Sequence, residues 1–205
     1  MTTINVADYW PHPPAGKTLT NTFDAGLVLS YSQVANTPGK AGPGVKLHQT
    51  QNGVWQNDWF LRYDPVRGVL EYEDDYPPIW WQPWVPGWPN VAAKVMASGK
   101  AIVWGGVAQA VPSNLQAQCE IAFPSLFGWQ QVQFNSMHSF TCPAGTFEVL
   151  DLTYYQAWVN TSAIVGANMY FAPGLGQIYT AWLEGTEGHI VPTGYSMTLQ
   201  SSVLA

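Results

Sequence analysis

The chemically capable side chains that this 205-residue chain gathers are carboxylates: Glu71, Glu73, Asp74 and Asp75 stand together, with Asp64 just upstream. Two carboxylates in a β-rich protein can act as acid and base in glycoside hydrolysis, and nearby indoles stack on sugar rings. The same oxygens suit calcium, although the spacing of an EF-hand loop is missing. A third use involves no reaction, because acidic side chains at a turn keep a strand end hydrated. The run is taken in that last sense.

The other reactive residue types are dispersed. His12, His48, His138 and His189 form no His-Glu-x-x-His or His-x-His pair, and no nucleophile-elbow phrase surrounds a Ser. A Ser-His-Asp set assembled across strands is something any chain of this size offers by chance. Gly174-Leu175-Gly176 lacks the Lys-Ser/Thr and helix of a phosphate cradle. Cys119 and Cys142 have no His at ligand spacing, which argues against zinc, and the sequence leaves their pairing open. Asn160-Thr161-Ser162 matters as a glycan acceptor only in an exported eukaryotic protein. These patterns predict a chain that is not an enzyme, with no cofactor and no metal.

The elements around these residues read as strands. Leu19–Phe23 and Leu27–Tyr31 form a first pair, and 36–44 is too rich in Pro and Gly for either strand or helix interior. Alternation from Val45 to Tyr72 predicts a meander turned by Asn52-Gly53, a strong hairpin signal, and by Asp64–Gly68. Further strands are expected at 101–104, 117–123, 130–140, 146–158, 167–172, 177–183 and 195–203, with a short helix or strand at 92–97. Pro143 and Gly145, and Pro173, Gly174 and Gly176, are expected as structural turns.

Residues 75–90 break the pattern, with four Trp and five Pro in sixteen positions. Such proline density excludes a central strand, so 76–90 is predicted to be an arm or lid inserted in a single domain spanning 1–205. Tyr76, Trp80, Trp81, Trp84 and Trp88, together with Trp10, are the candidate binding or interface residues. Indoles on a Pro-stiffened loop lose little entropy on binding, and they suit a neighbouring subunit, a glycan or the end of the chain's own sheet.

Composition bounds the partners. Charged residues are 10% and hydrophobic residues 47%, with eleven Trp, ten Tyr and eight Phe. So little charge predicts a surface covered by subunits, a ligand or lipid. The net charge is −6 and the seven basic residues are scattered, none beyond position 100, which leaves no footprint for nucleic acid. No apolar run is long enough for a membrane-spanning helix, and the first residues have neither the positive end nor the apolar core of a signal peptide.

The phrases Pro143-Ala144-Gly145-Thr146-Phe147, Val149–Leu152 and Tyr170–Gly176, with Asp8-Tyr9-Trp10-Pro11 and Gly16–Leu19 at the opening, resemble TapB-like bacterial β-domains. Those domains are distantly similar to curved-sheet lipoprotein carriers of the LolA type. The resemblance implies an all-β fold with a strongly curved antiparallel sheet, half-barrel or sandwich-like, little helix, and a binding or structural role without a catalytic set. The expected function is a non-enzymatic structural or interaction protein, a tail, appendage or capsid-decorating component of a virion assembled as a symmetric homo-oligomer. The alternative is a binding module for an apolar ligand or carbohydrate, periplasmic or secreted if a leader has been removed; a glycoside hydrolase ranks third.

Overall fold

A computed structural model describes residues 2–37, 42–73, 101–115, 127–158 and 163–205. The expected arm at 76–90 with Tyr76, Trp80, Trp81, Trp84 and Trp88, the element at 92–97, the strand at 117–123, Cys119 and the Asn160 acceptor lie outside the described residues.

Fourteen strands are described, with two 3₁₀ turns at Val6–Tyr9 and Asp24–Gly26. The first half contains β1 (Thr2–Ile4), β2 (Thr18–Phe23), β3 (Leu27–Val34), β4 (Gly44–Gln51), β5 (Val54–Asp64), β6 (Gly68–Glu73) and β7 (Ala101–Gly105). The second contains β8 (Gln109–Val111), β9 (Ser113–Leu115), β10 (Phe127–Cys142), β11 (Gly145–Trp158), β12 (Ala163–Ala172), β13 (Gly176–Thr186) and β14 (His189–Leu204). Twelve of them form one antiparallel sheet in the order β7-β6-β5-β4-β3-β2-β14-β13-β12-β11-β10-β9. The sheet curls into a nearly closed barrel, so the curved-sheet expectation holds and the shape is a barrel rather than a sandwich.

Two causes of the curl are visible. Strict alternation gives β2 and β3 one buried face, with Leu19, Phe23, Leu27, Leu29 and Tyr31 turned inward and Thr20, Ser30 and Ser32 outward. Register slips then occur in six of the ladders, among them Gln49/Thr50 in β4–β5, Phe134/Ser136 in β10–β11 and Tyr170/Phe171 in β12–β13. Each extra residue bends its strand and increases the local twist.

The N-terminal segment seals the seam between the outer strands of the sheet. β1 pairs with β8, and the Val6 N–H donates to Gly106 O at 3.4 Å. A side chain at Gly105 would come within 2.9 Å of both the Phe134 ring and Val6, which shows how tightly β7, β10 and the plug meet. Val6, Val69, Val132 and Phe134 are fully buried there.

Candidate functional site

Beyond the 3₁₀ turn at Val6–Tyr9 the chain runs inside the barrel. Trp10 is 3% exposed and stacks on Phe171 of β12 at a centroid distance of 4.2 Å, with Trp104 of β7 at 5.8 Å. The Tyr63 hydroxyl donates to Pro11 O at 2.6 Å, and the Gly174 N–H donates to Asp8 O at 2.9 Å. The opening phrase Asp8–Pro11 and the Pro173-Gly174-Leu175 turn, far apart in sequence, thus meet in space.

Above this plug lies a cavity of about 430 Å³, within the range of small-molecule sites. Its walls combine Leu27, Leu29, Leu61, Met169, Phe171 and Met197 with the rings of Trp10, Tyr31, Trp59, Trp104, Tyr154 and Trp182. Val165, 42% exposed, stands on the rim. Trp10, expected from sequence at a contact surface, is placed in this lining.

Few polar groups interrupt the wall. Gln177 donates to Thr180. Glu71 enters from β6, and the Trp104 indole N–H donates to its Oε2 at 2.7 Å. The Tyr31 side chain is 3% exposed and lines the cavity, and its hydroxyl makes no hydrogen bond among the described residues. Burial, helped by the Glu71 carboxylate, holds the Tyr31 pKa well above its usual 10.0, so the hydroxyl stays protonated. Burial, with a smaller contribution from Tyr31, acts on Tyr63 in the same sense. An unmade hydrogen bond on a buried hydroxyl costs about 1–3 kcal/mol.

Of the carboxylates singled out, Asp64 and Glu71 can be placed and do different things, while Asp74, Asp75 and the Glu73 side chain lie outside the described residues. Asp64 caps the β5–β6 turn, accepting the Val66 and Arg67 N–H groups at 2.8 and 2.7 Å, as a hydrated turn residue should. Glu71 departs from that expectation because it shares the inward face of β6 with fully buried Val69. The signal was its two-residue spacing from Val69, masked because Leu70 is apolar too.

A cross-strand set does form on the outer face. Ser30, His48 and Asp58 face one another across β3, β4 and β5. The His48 Nδ1–H donates to Asp58 Oδ1 at 2.6 Å, and Lys46 Nζ lies 2.7 Å from Oδ2. Burial alone would raise the Asp58 pKa, but the hydrogen bonds from Lys46 and His48 hold it below its usual value. The Ser30 hydroxyl lies 3.5 Å from the Thr20 hydroxyl. This convex ladder has the composition of a catalytic triad and lies outside the cavity.

The remaining residues are architectural. Pro143 and Gly145 turn β10 into β11, and Pro173, Gly174 and Gly176 turn β12 into β13. Cys142 is buried with a free thiol. His12 is exposed, its ring 3.9 Å from that of Tyr63. On the outer face His138, Phe140, Tyr170 and Tyr179 form a ring cluster with centroids 4.8–5.5 Å apart. Among the described residues no group of His, Cys, Asp and Glu is placed to hold a metal ion, and no helix is long and apolar enough to cross a membrane.

No family model matches the chain, and no curated protein matches it. Among solved structures it is similar to a "putative lipoprotein" from Parabacteroides distasonis, with a TM-score of 0.38 and 11% identity over 96% of this chain and 99% of that one. It is also similar to a "putative exported protein with YmcC-like fold" from Bacteroides fragilis, with a TM-score of 0.37 and 12% identity over 96% and 99% of the two chains. Neither bears the TapB-like name, and superpositions this loose decide neither fold nor function.

Proposed function

We propose that this chain is a non-enzymatic binding protein that holds an apolar small molecule inside its barrel. The observation that carries this reading is the cavity of about 430 Å³, walled by aliphatic and aromatic side chains beside a buried hydroxyl that makes no hydrogen bond among the described residues. A barrel of this size ordinarily fills its interior with side chains or keeps a ligand there. On this reading the chain acts in an exported compartment, as a carrier or sensor of its ligand.

A neutral fluorescent probe, N-phenyl-1-naphthylamine, tests it. The intact chain should enhance the probe's emission saturably, with one site per chain. Ala167→Leu, which adds volume to the cavity wall, should abolish uptake while leaving the fold intact. A linear, non-saturable response, or uptake unchanged in Ala167→Leu, would remove the reading.

The outer ring cluster of Phe140, Tyr170, Tyr179 and His138 supports a second reading, in which the chain is a subunit of a symmetric assembly such as a virion appendage. Half-buried rings on an outer face are the side chains that subunit contacts favour. Light scattering after size-exclusion chromatography checks it: a monomer at high concentration would count against assembly.

A further inference from the structure

We propose that the barrel cavity recognises an apolar molecule through one uncharged carbonyl oxygen, that of a ketone, ester or amide, which accepts a hydrogen bond from the Tyr31 hydroxyl. This rests on the reading of the cavity as a ligand site and adds the chemistry that separates its ligand from a plain hydrocarbon. Tyr31 stands on the inward stripe of β3, is 3% exposed and lines the cavity. Its hydroxyl makes no hydrogen bond among the described residues. Burial keeps the proton on that oxygen, so the group offers a donor. The hydroxyl lies at the floor, where the plug meets the β12–β13 turn: a Cβ at Gly176 would sit 3.4 Å from it and 2.8 Å from the Pro11 ring, and both Pro11 and Gly176 line the cavity.

Trp10 supplies a second donor on the same floor. It is 3% exposed and held by its stacking on Phe171, yet its indole N–H makes no hydrogen bond among the described residues. Neighbouring groups show that pairing is the rule here. The Tyr63 hydroxyl donates to Pro11 O, the Trp104 indole to Glu71 and the Asn21 amide to Leu175 O. Folded chains leave few buried donors unpaired; Tyr31 and Trp10 depart from that pattern, and both line the cavity. A carbonyl oxygen has two lone pairs and no proton, so it takes up such donors without bringing a donor of its own that would need an acceptor. The aliphatic and aromatic wall buries the rest of the molecule.

Competition against N-phenyl-1-naphthylamine with 2-acetylnaphthalene and 2-isopropenylnaphthalene tests this, because the two have the same planar shape and differ by C=O against C=CH₂. In Tyr31→Phe the ratio of ketone to alkene affinity should fall about five- to tenfold, the scale of one hydrogen bond. In the intact chain the infrared carbonyl stretch of the bound ketone should lie below its position in hexane, and it should move back towards that position in Tyr31→Phe. The ligand-free variant should keep or raise the urea midpoint, since it gives up no hydrogen bond. An affinity ratio indifferent to Tyr31→Phe, a carbonyl stretch equal to that in hexane, or a lowered midpoint would overturn the carbonyl inference and leave the cavity as an apolar site. Binding of neither the probe nor the two naphthalenes would overturn the cavity reading itself. The infrared measurement on the unmodified chain is decisive even if the variant fails to fold.

Discussion

Asp58 illustrates how a single side chain ties the stability of this barrel to pH. It is 7% exposed and receives hydrogen bonds from Lys46 and His48, which favour its ionised form. Its pKa in the folded chain lies below the 3.8 of a free carboxylate. The stabilisation is therefore fully present above that unfolded value and is lost as pH falls through the lower, folded one. Asp58→Asn should cost about 1–2 kcal/mol at pH 7, as loss of a charge-assisted pair with two partly exposed partners. In urea titrations the difference between variant and wild type should shrink as pH falls below 4; a difference independent of pH would refute this account. Sequence alone did not reveal Asp58, because its partners are ten and twelve residues away and meet it only through the β4–β5 register. Glu71 was visible as an acid but not as an interior one, since β6 is apolar on both faces and strand parity cannot then be assigned.

At the scale of elements, the plug formed by residues 6–11 positions the cavity floor, and the β12–β13 turn holds the plug. Trp10→Ala should cost about 3–5 kcal/mol, the usual cost of deleting a buried aromatic, with a matching drop in the urea midpoint. Two glycines of that turn form a controlled pair. Gly174 and Gly176 both have positive φ, 70° and 78°, but a Cβ at Gly174 meets nothing within 4 Å whereas one at Gly176 would sit 2.8 Å from the Pro11 ring. Gly174→Ala should cost about 1 kcal/mol from backbone strain, and Gly176→Ala about 2–4 kcal/mol because overpacking adds to it. Equal effects on the melting temperature would mean that Pro11 does not rest on the turn. Both turns, and the Asn52-Gly53 hairpin, were legible in the sequence because a turn is specified by the residues inside it. The short β8 and β9 were not, being three residues each without a period. Nor was the first half of β14, whose residues 189–194 are exposed apart from half-buried Ile190 and are held in the sheet by pairing with β13.

The molecule as a whole is one sheet whose closure depends on contacts between distant parts of the chain. Its all-β class and curvature could be read from alternation, turn chemistry and the phrase resemblance; the joining of its two halves into one sheet could not, since the ladder that links them pairs β2 with β14. There Ser202 donates to Asn21, which in turn donates to Leu175 O of the β12–β13 turn. Deleting residues 200–205 should therefore destabilise the entire barrel rather than fray one end, seen as parallel loss of near-ultraviolet dichroism and of the urea transition; a shortened chain with an unchanged midpoint would show that the β2–β14 ladder is dispensable. The β2–β14 ladder has a further consequence for biosynthesis. β2 emerges from the ribosome early, yet its neighbour on one side, β14, is made only after some 160 intervening residues, as the strand bounds imply. For that interval the inward stripe of β2 and β3 has no lid, so the nascent chain should depend on a holding chaperone until translation reaches the last strand.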